Sequence, residues 1–125
     1  MPRKPVYRRN LDDAPRPVAA MAKSWRDGDE IPFHMHRRAQ LIHAVSGVMR
    51  IETGDTAFIV PPALALWMPP ACPHGMVMRG HLEMRTVYID EAHCDGLPRS
   101  PMLVEVGGLM RELILADTPH PGPKP

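Results

Sequence analysis

The sequence predicts an all-β domain, a small antiparallel barrel or sandwich. Sixteen prolines and nine glycines in 125 residues are too many helix breakers for a helical bundle. Short β-rich runs recur, with turn signals roughly every 8–12 residues. A hydrophobic fraction of 44% in a chain of this length supports one buried core.

The elements follow in order. Residues 1–15 form a basic arm carrying Arg3, Lys4, Arg8 and Arg9, expected to be solvated and frayed. Residues 16–116 hold the folded part. "RPVAAMAKSW" (16–25) gives the first strand or two and ends at the turn "RDGDE". "IPFHMH" (31–36) is extended, because Pro32 disfavours helix before it. "QLIHAVSGVMRIET" (40–53) reads as a hairpin about Ser46-Gly47. Gly54-Asp55 is the next turn. "TAFIVPP" and "ALALWMPP" are short strands, each closed by a proline pair. "HGMVM" and "HLEMRTVYID" read as another hairpin about Arg79-Gly80. "LVEVGGLMRELILAD" then places Leu109, Met110, Leu113 and Ile114 at helical spacing, with Glu105 and Glu112 among them. This amphipathic helix is expected to close the barrel or to pack on a partner. Residues 117–125, "DTPHPGPKP", read as a stiff tail or linker.

Composition excludes several classes. A formal net charge of +1 gives no basic groove for a duplex, so no specific DNA binding by this chain alone is expected. The N-terminus lacks the apolar core of a secretory signal. The longest apolar stretch is interrupted by four prolines and cannot span a membrane. With two cysteines, Cys72 and Cys94, the chain reads as a soluble protein of the reducing cytoplasm. There is no glycine-rich phosphate loop and no serine in a nucleophile elbow.

The chemistry concentrates in "HMHRRAQ", residues 34–40. Side chains alternate along a strand, so His34 and His36 point the same way. Two neutral imidazoles on one face begin a divalent-metal site; a short HxH also occurs by chance as ordinary strand histidines. Four residues of straight strand span about 13 Å. Gln40 therefore joins His36 at one ion only if "RRA" turns the chain back, a turn that two exposed arginines and an alanine can make. His74 follows a proline-rich corner, where Pro69, Pro70 and Pro73 pre-set its approach.

Cys72 could face the same way as His74, although a small buried cysteine is the commoner role. Trp67, Met76 and Met78 are candidate pocket residues; each also reads as core filling, and Met84 shares that ambiguity. His43 is expected to face away from the pocket, at the surface or an interface. His81 and His93 are expected to be solvated, and His120 lies in the tail. Glu83 and Asp90 are the carboxylates that could serve as a base.

His34-x-His36-x3-Gln40-x6-Gly47 resembles the first cupin motif, with glutamine where many cupins carry glutamate. Pro69-x-Ala71-x-x-His74 resembles the second, with alanine replacing its glycine and Met78 where asparagine usually ends it. "HRRAQLIHAVSGVMRIET", "VPPALALWMPPACPH" and "MRTVYID" are similar to the N-terminal, effector-binding cupin domain of AraC-type bacterial transcription regulators. "LMRELILA" resembles the helix after the barrel in that branch. The similarity covers residues 16–116. It implies a double-stranded β-helix, or jelly-roll, barrel with an internal pocket. In metal-binding members it implies one divalent ion, here held by His34, His36, Gln40 and His74.

Three imidazoles and an amide carry no charge, so the ion would keep its full +2 and favour an anion in the open position. Zinc, nickel, iron and copper all suit these donors. Gln40 cannot take up a proton, which weighs against turnover. The expectation is a sensor domain for a small-molecule effector, homodimeric, whose own residues up to Pro125 hold no helix-turn-helix. The alternative is a stand-alone cupin metalloenzyme of dioxygenase or isomerase type.

Overall fold

The computed structural model describes residues 6–7 and 16–107. Leu109, Met110, Leu113 and Ile114 of the expected helix and the Pro-rich tail lie outside them, as does most of the basic arm. Eight strands are described: β1 (Val6–Tyr7), β2 (Val18–Trp25), β3 (Glu30–Met35), β4 (Ala39–Glu52), β5 (Ala57–Val60), β6 (Leu64–Met68), β7 (His74–Ile89) and β8 (Met102–Glu105). One short 3-10 turn, Glu91–His93, follows β7. The strands form one sheet in the order β1-β3-β7-β4-β6-β8, with β2 also on β7 and β5 also on β4. Only the β1–β3 pair is parallel among them.

The two expected hairpins are instead two long strands, β4 and β7. They pair with one another along their length, from Ala39↔Ile89 to Glu52↔Gly75. Ser46-Gly47 and Arg79-Gly80 bend the chain without reversing it. The reason is tertiary. Each half of β4 finds its partner in distant β7, so the positive-φ glycine makes a bulge rather than a turn. Gly47 has φ +81, and a Cβ there would stand 2.8 Å from the His81 carbonyl oxygen. Gly80, at φ +75, lies against Gly47.

The same bend continues into the third track. β2 and β3 run consecutively along one edge of β7, from Val18↔Ile89 to His34↔His74. Between them the turn at 26–29 carries Gly28 at φ +86. Its N–H donates to the Met78 carbonyl at 2.8 Å, and the Gly80 N–H donates to Asp27 Oδ1 at 2.8 Å. Three adjacent tracks thus kink at one level and fold the sheet over itself. The residues enclosed are fully buried apolar side chains, including Ile42, Met49, Ile51, Leu66, Met78 and Leu82.

Three further expectations change. Leu103, Val104 and Glu105, read as the start of a helix, belong to β8, which pairs with β6 from Leu64↔Glu105 to Trp67↔Met102. The open edge of β6 overrides the local helical pattern. Arg38 is buried, not exposed: its guanidinium donates to the Arg16 carbonyl at 2.6 Å and the Pro17 carbonyl at 3.4 Å, tying the bend after β3 to the start of β2. His43 is fully buried, with Nε2 2.9 Å from the Pro62 carbonyl. It faces away from the cavity as expected, but the neighbouring segment covers it. No helix among the described residues is long and apolar enough to cross a membrane.

Candidate functional site

Three chain segments meet at one end of the fold. His34 lies near the end of β3, and His36 follows it at the bend. The chain turns at residues 37–38 and re-enters the sheet as β4, with Gln40 its second residue. His74 opens β7 and sits opposite His34 in the register. The four side chains are 1–3% exposed. Ring centroids are 4.4 Å apart for His34 and His74, 5.0 Å for His34 and His36, and 6.2 Å for His36 and His74.

The corner before His74 is fixed by backbone. Ala71 adopts φ +57, the left-handed region that glycine favours, and its N–H donates to the His36 carbonyl at 2.7 Å. That bond ties the two histidine segments together and holds an alanine in a conformation that L side chains disfavour.

Hydrogen bonds set the tautomers. His34 Nδ1 lies 2.8 Å from the Pro32 carbonyl, and His74 Nδ1 lies 2.8 Å from the Cys72 carbonyl. A carbonyl only accepts, so each Nδ1 carries the proton and each Nε2 the lone pair. Metal-binding histidines are commonly oriented in this way. His74 Nε2 is buried without a hydrogen-bond partner. Burial pushes the His74 imidazole down from 6.5 to about 4; the Cys72 carbonyl opposes this, and His34 and His36 add to it. The ring is neutral at physiological pH.

The donor chemistry fits a divalent transition ion. Two imidazoles bound to one ion through nitrogens about 2.1 Å away hold their ring centroids within about 6.5 Å of each other, and all three pairs satisfy that bound. As the rings stand, no three His, Cys, Asp or Glu side chains among the described residues close around a common point. The lone pair of His74 Nε2 is the buried acceptor that an ion here would satisfy.

Beside the histidines lies a cavity of about 280 Å³. His34, His36 and Gln40 line one part of it, with Thr86 and Tyr88 adjoining. Tyr88 meets His36 edge-on, centroids 5.4 Å apart. Met21, Ile31, Met76 and Met84 add apolar surface, and Lys23, Trp25 and Glu30 complete the lining.

The candidate pocket residues separate. Met76 lines the cavity; Met78 is in the core, and the Trp67 indole donates to the Pro98 carbonyl at 2.8 Å, away from it. Cys72 is half-buried and packs against the core, its thiol pushed up by burial first and by Asp55 second. Glu83 accepts from Ser24 at 2.6 Å and pairs with His81 at 2.8 Å, outside the cavity lining, which also lacks Asp90. Sequence reasoning missed Met21, Lys23, Trp25, Thr86 and Tyr88. Their alternation along β2 and β7 was a signal, but alternation does not tell which face turns inward.

A model of the family "AraC-like ligand binding domain" matches residues 19–114. The HTH-type transcriptional regulator NimR of Escherichia coli (strain K12) is 30% identical over 84 residues, which cover 67% of this chain and 30% of NimR. The chain thus spans under a third of that regulator's length. Among solved structures, ToxT from Vibrio cholerae superposes with a TM-score of 0.65 at 6% identity, over 88% of this chain and 51% of ToxT. An RmlC-like cupin from Shewanella frigidimarina NCIMB 400 superposes at 0.54 with 19% identity, over 58% and 65% of the two chains.

Proposed function

We propose a sensory role for this chain, which belongs to the AraC-like ligand binding domain family and has the cupin fold. It binds a small-molecule effector in the cavity and does not convert it. The observation that carries this is the cavity itself: open at one end, walled by thioethers and aromatic rings, and bordered by buried histidines. A divalent ion would be held by His34, His36, Gln40 and His74, and would offer a Lewis-acidic position to a donor atom of the effector. Gln40 supplies no carboxylate to move a proton, so the site suits holding better than turnover.

A second copy of the chain is the proposed partner. Leu97, Met102 and Leu103 are exposed at and near the β8 edge, where a dimer would cover them. With a net charge of +1, the chain by itself is proposed to lack specific DNA binding.

Elemental analysis tests the ion. One equivalent of metal is expected in the native protein and none in the His36→Ala/His74→Ala variant; full occupancy in that variant refutes the ligand set. A thermal-shift screen of small molecules, with product analysis of each hit, tests the role. Stabilisation with the compound recovered intact is expected, and many turnovers of a hit would replace the sensor with an enzyme. Sedimentation at the 14.0 kDa monomer mass at high concentration would refute the dimer.

A further inference from the structure

Among the cavity-lining residues that the metal reading leaves unused are Lys23 and Trp25. Lys23 and Trp25 lie two apart on β2, so both project from its cavity face. The Lys23 ammonium stands 4.4 Å from the centroid of the Trp25 ring. Lys23 is exposed and Trp25 half-buried, which places them at the mouth. The indole N–H is buried without a partner, so a ligand meets the ring rather than its polar atom. Lys23 has no carboxylate partner among the described residues.

The rest of the lining narrows the choice. Its one acid, Glu30, is exposed. Deeper in, the groups are imidazoles, an amide, a hydroxyl and a phenol, none of which supplies a fixed negative charge. Three methionines, Met21, Met76 and Met84, give a polarizable wall suited to the edge of an aromatic ring. A cation at the solvent boundary of a half-buried aromatic ring is weakly held, so a ligand ring can take its place on the indole while the ammonium swings to the ligand's acid group. The long lysine stem keeps that ion pair at the water boundary, where neither charge is stripped of solvent.

We infer that Lys23 and Trp25 form the recognition subsite of the cavity, and that it selects a small aryl carboxylate whose ring lies against Trp25 and whose acid group pairs with Lys23. This rests on the reading of the cavity as a small-molecule site. It differs from that reading in placing the acid at the mouth rather than at the histidines.

The test is calorimetric titration of the native protein and of Lys23→Gln and Trp25→Leu with cinnamate, cinnamamide and phenethylamine, before and after metal chelation. Cinnamate is expected to bind about fivefold more tightly than its amide, as a partly solvated ion pair allows. Lys23→Gln, an exposed substitution that leaves the fold intact, should level acid and amide. Trp25→Leu should weaken both and keep their ratio. The acid preference should survive chelation. Equal binding of acid and amide overturns the inference and leaves the small-molecule reading standing. Tighter binding of phenethylamine overturns it by giving the mouth to Glu30. A preference that survives Lys23→Gln but vanishes on chelation overturns it by moving the acid to the histidines. Binding of none of the three also overturns it, whereas the small-molecule reading falls only if the wider screen finds no stabilising compound.

Discussion

Along one face of β4 the interior changes character within two residues. Ile42, Ala44, Met49 and Ile51 are fully buried; Met78 stands opposite Met49 on β7, and it and Leu82 on the same strand are equally dry. Gln40, two residues before Ile42, turns instead toward a cavity lined by His34 and His36, and its register partner on β7 is Tyr88. The residues of this dry cluster are all apolar. The cavity region keeps a buried Nε2 unpaired and an alanine at positive φ. Two glycine-bent strands therefore serve both purposes. Close packing around the kinks supplies stability, and the end nearer the loops is left under-satisfied, where an ion or ligand can complete it.

The largest expected effect breaks the dry region alone. Ile51→Ala should lower unfolding free energy by about 2–5 kcal/mol, since the site is fully enclosed and cannot collapse. Urea denaturation measures it. A loss smaller than the exposed control Ile59→Ala would show that the core is not where stability lies.

Next comes the titration of the cavity region. In metal-free protein His74 binds a proton at about 4 rather than 6.5. The unfolded chain takes up that proton near pH 6.5, and the folded one does not until about pH 4. Stability should be flat above 6.5 with respect to this group, fall as pH drops from 6.5 to about 4, and level below, a total of about 3 kcal/mol. The pH dependence of unfolding should be shallower by that amount in His74→Gln; an unchanged slope would mean that the His74 imidazole is not desolvated.

Gly47→Ala probes the line where the two regions meet. The new Cβ would meet the His81 carbonyl oxygen at 2.8 Å in a backbone conformation that alanine disfavours. A loss of more than about 1 kcal/mol is expected. Gly28→Ala shares the positive φ but has open space around it, so its loss should be the smaller of the two. Equal losses would assign the whole effect to φ and none to the close approach.

The smallest effect has the opposite sign. Ala71→Gly relieves the left-handed strain at φ +57 in the corner before His74, against the greater entropy of glycine in the unfolded chain. A gain of up to about 1 kcal/mol is expected, with the Ala71–His36 bond retained. Destabilisation would mean that the alanine methyl contributes packing that outweighs its strain.

The sequence by itself determined the fold class, most strand positions and the four polar residues around the candidate ion. These depend on local chemistry: proline and glycine punctuation, β-branched runs, and the alternation that places His34 and His36 on one side. The tertiary structure decided what local chemistry leaves open. Ser46-Gly47 and Arg79-Gly80 have the composition of hairpin turns, and became bulges because β4 and β7 found each other across the chain. Leu103–Glu105 has a helical pattern, and became a strand because β6 had an edge to pair. Arg38 reads as a surface residue, and is buried because two carbonyls before β2 accept its guanidinium. Lys23 and Trp25 line the cavity because β2 packs on β7 in the register Trp25↔Leu82. A shift of that register by one residue would turn both outward, and no property of residues 18–25 alone distinguishes the two alignments.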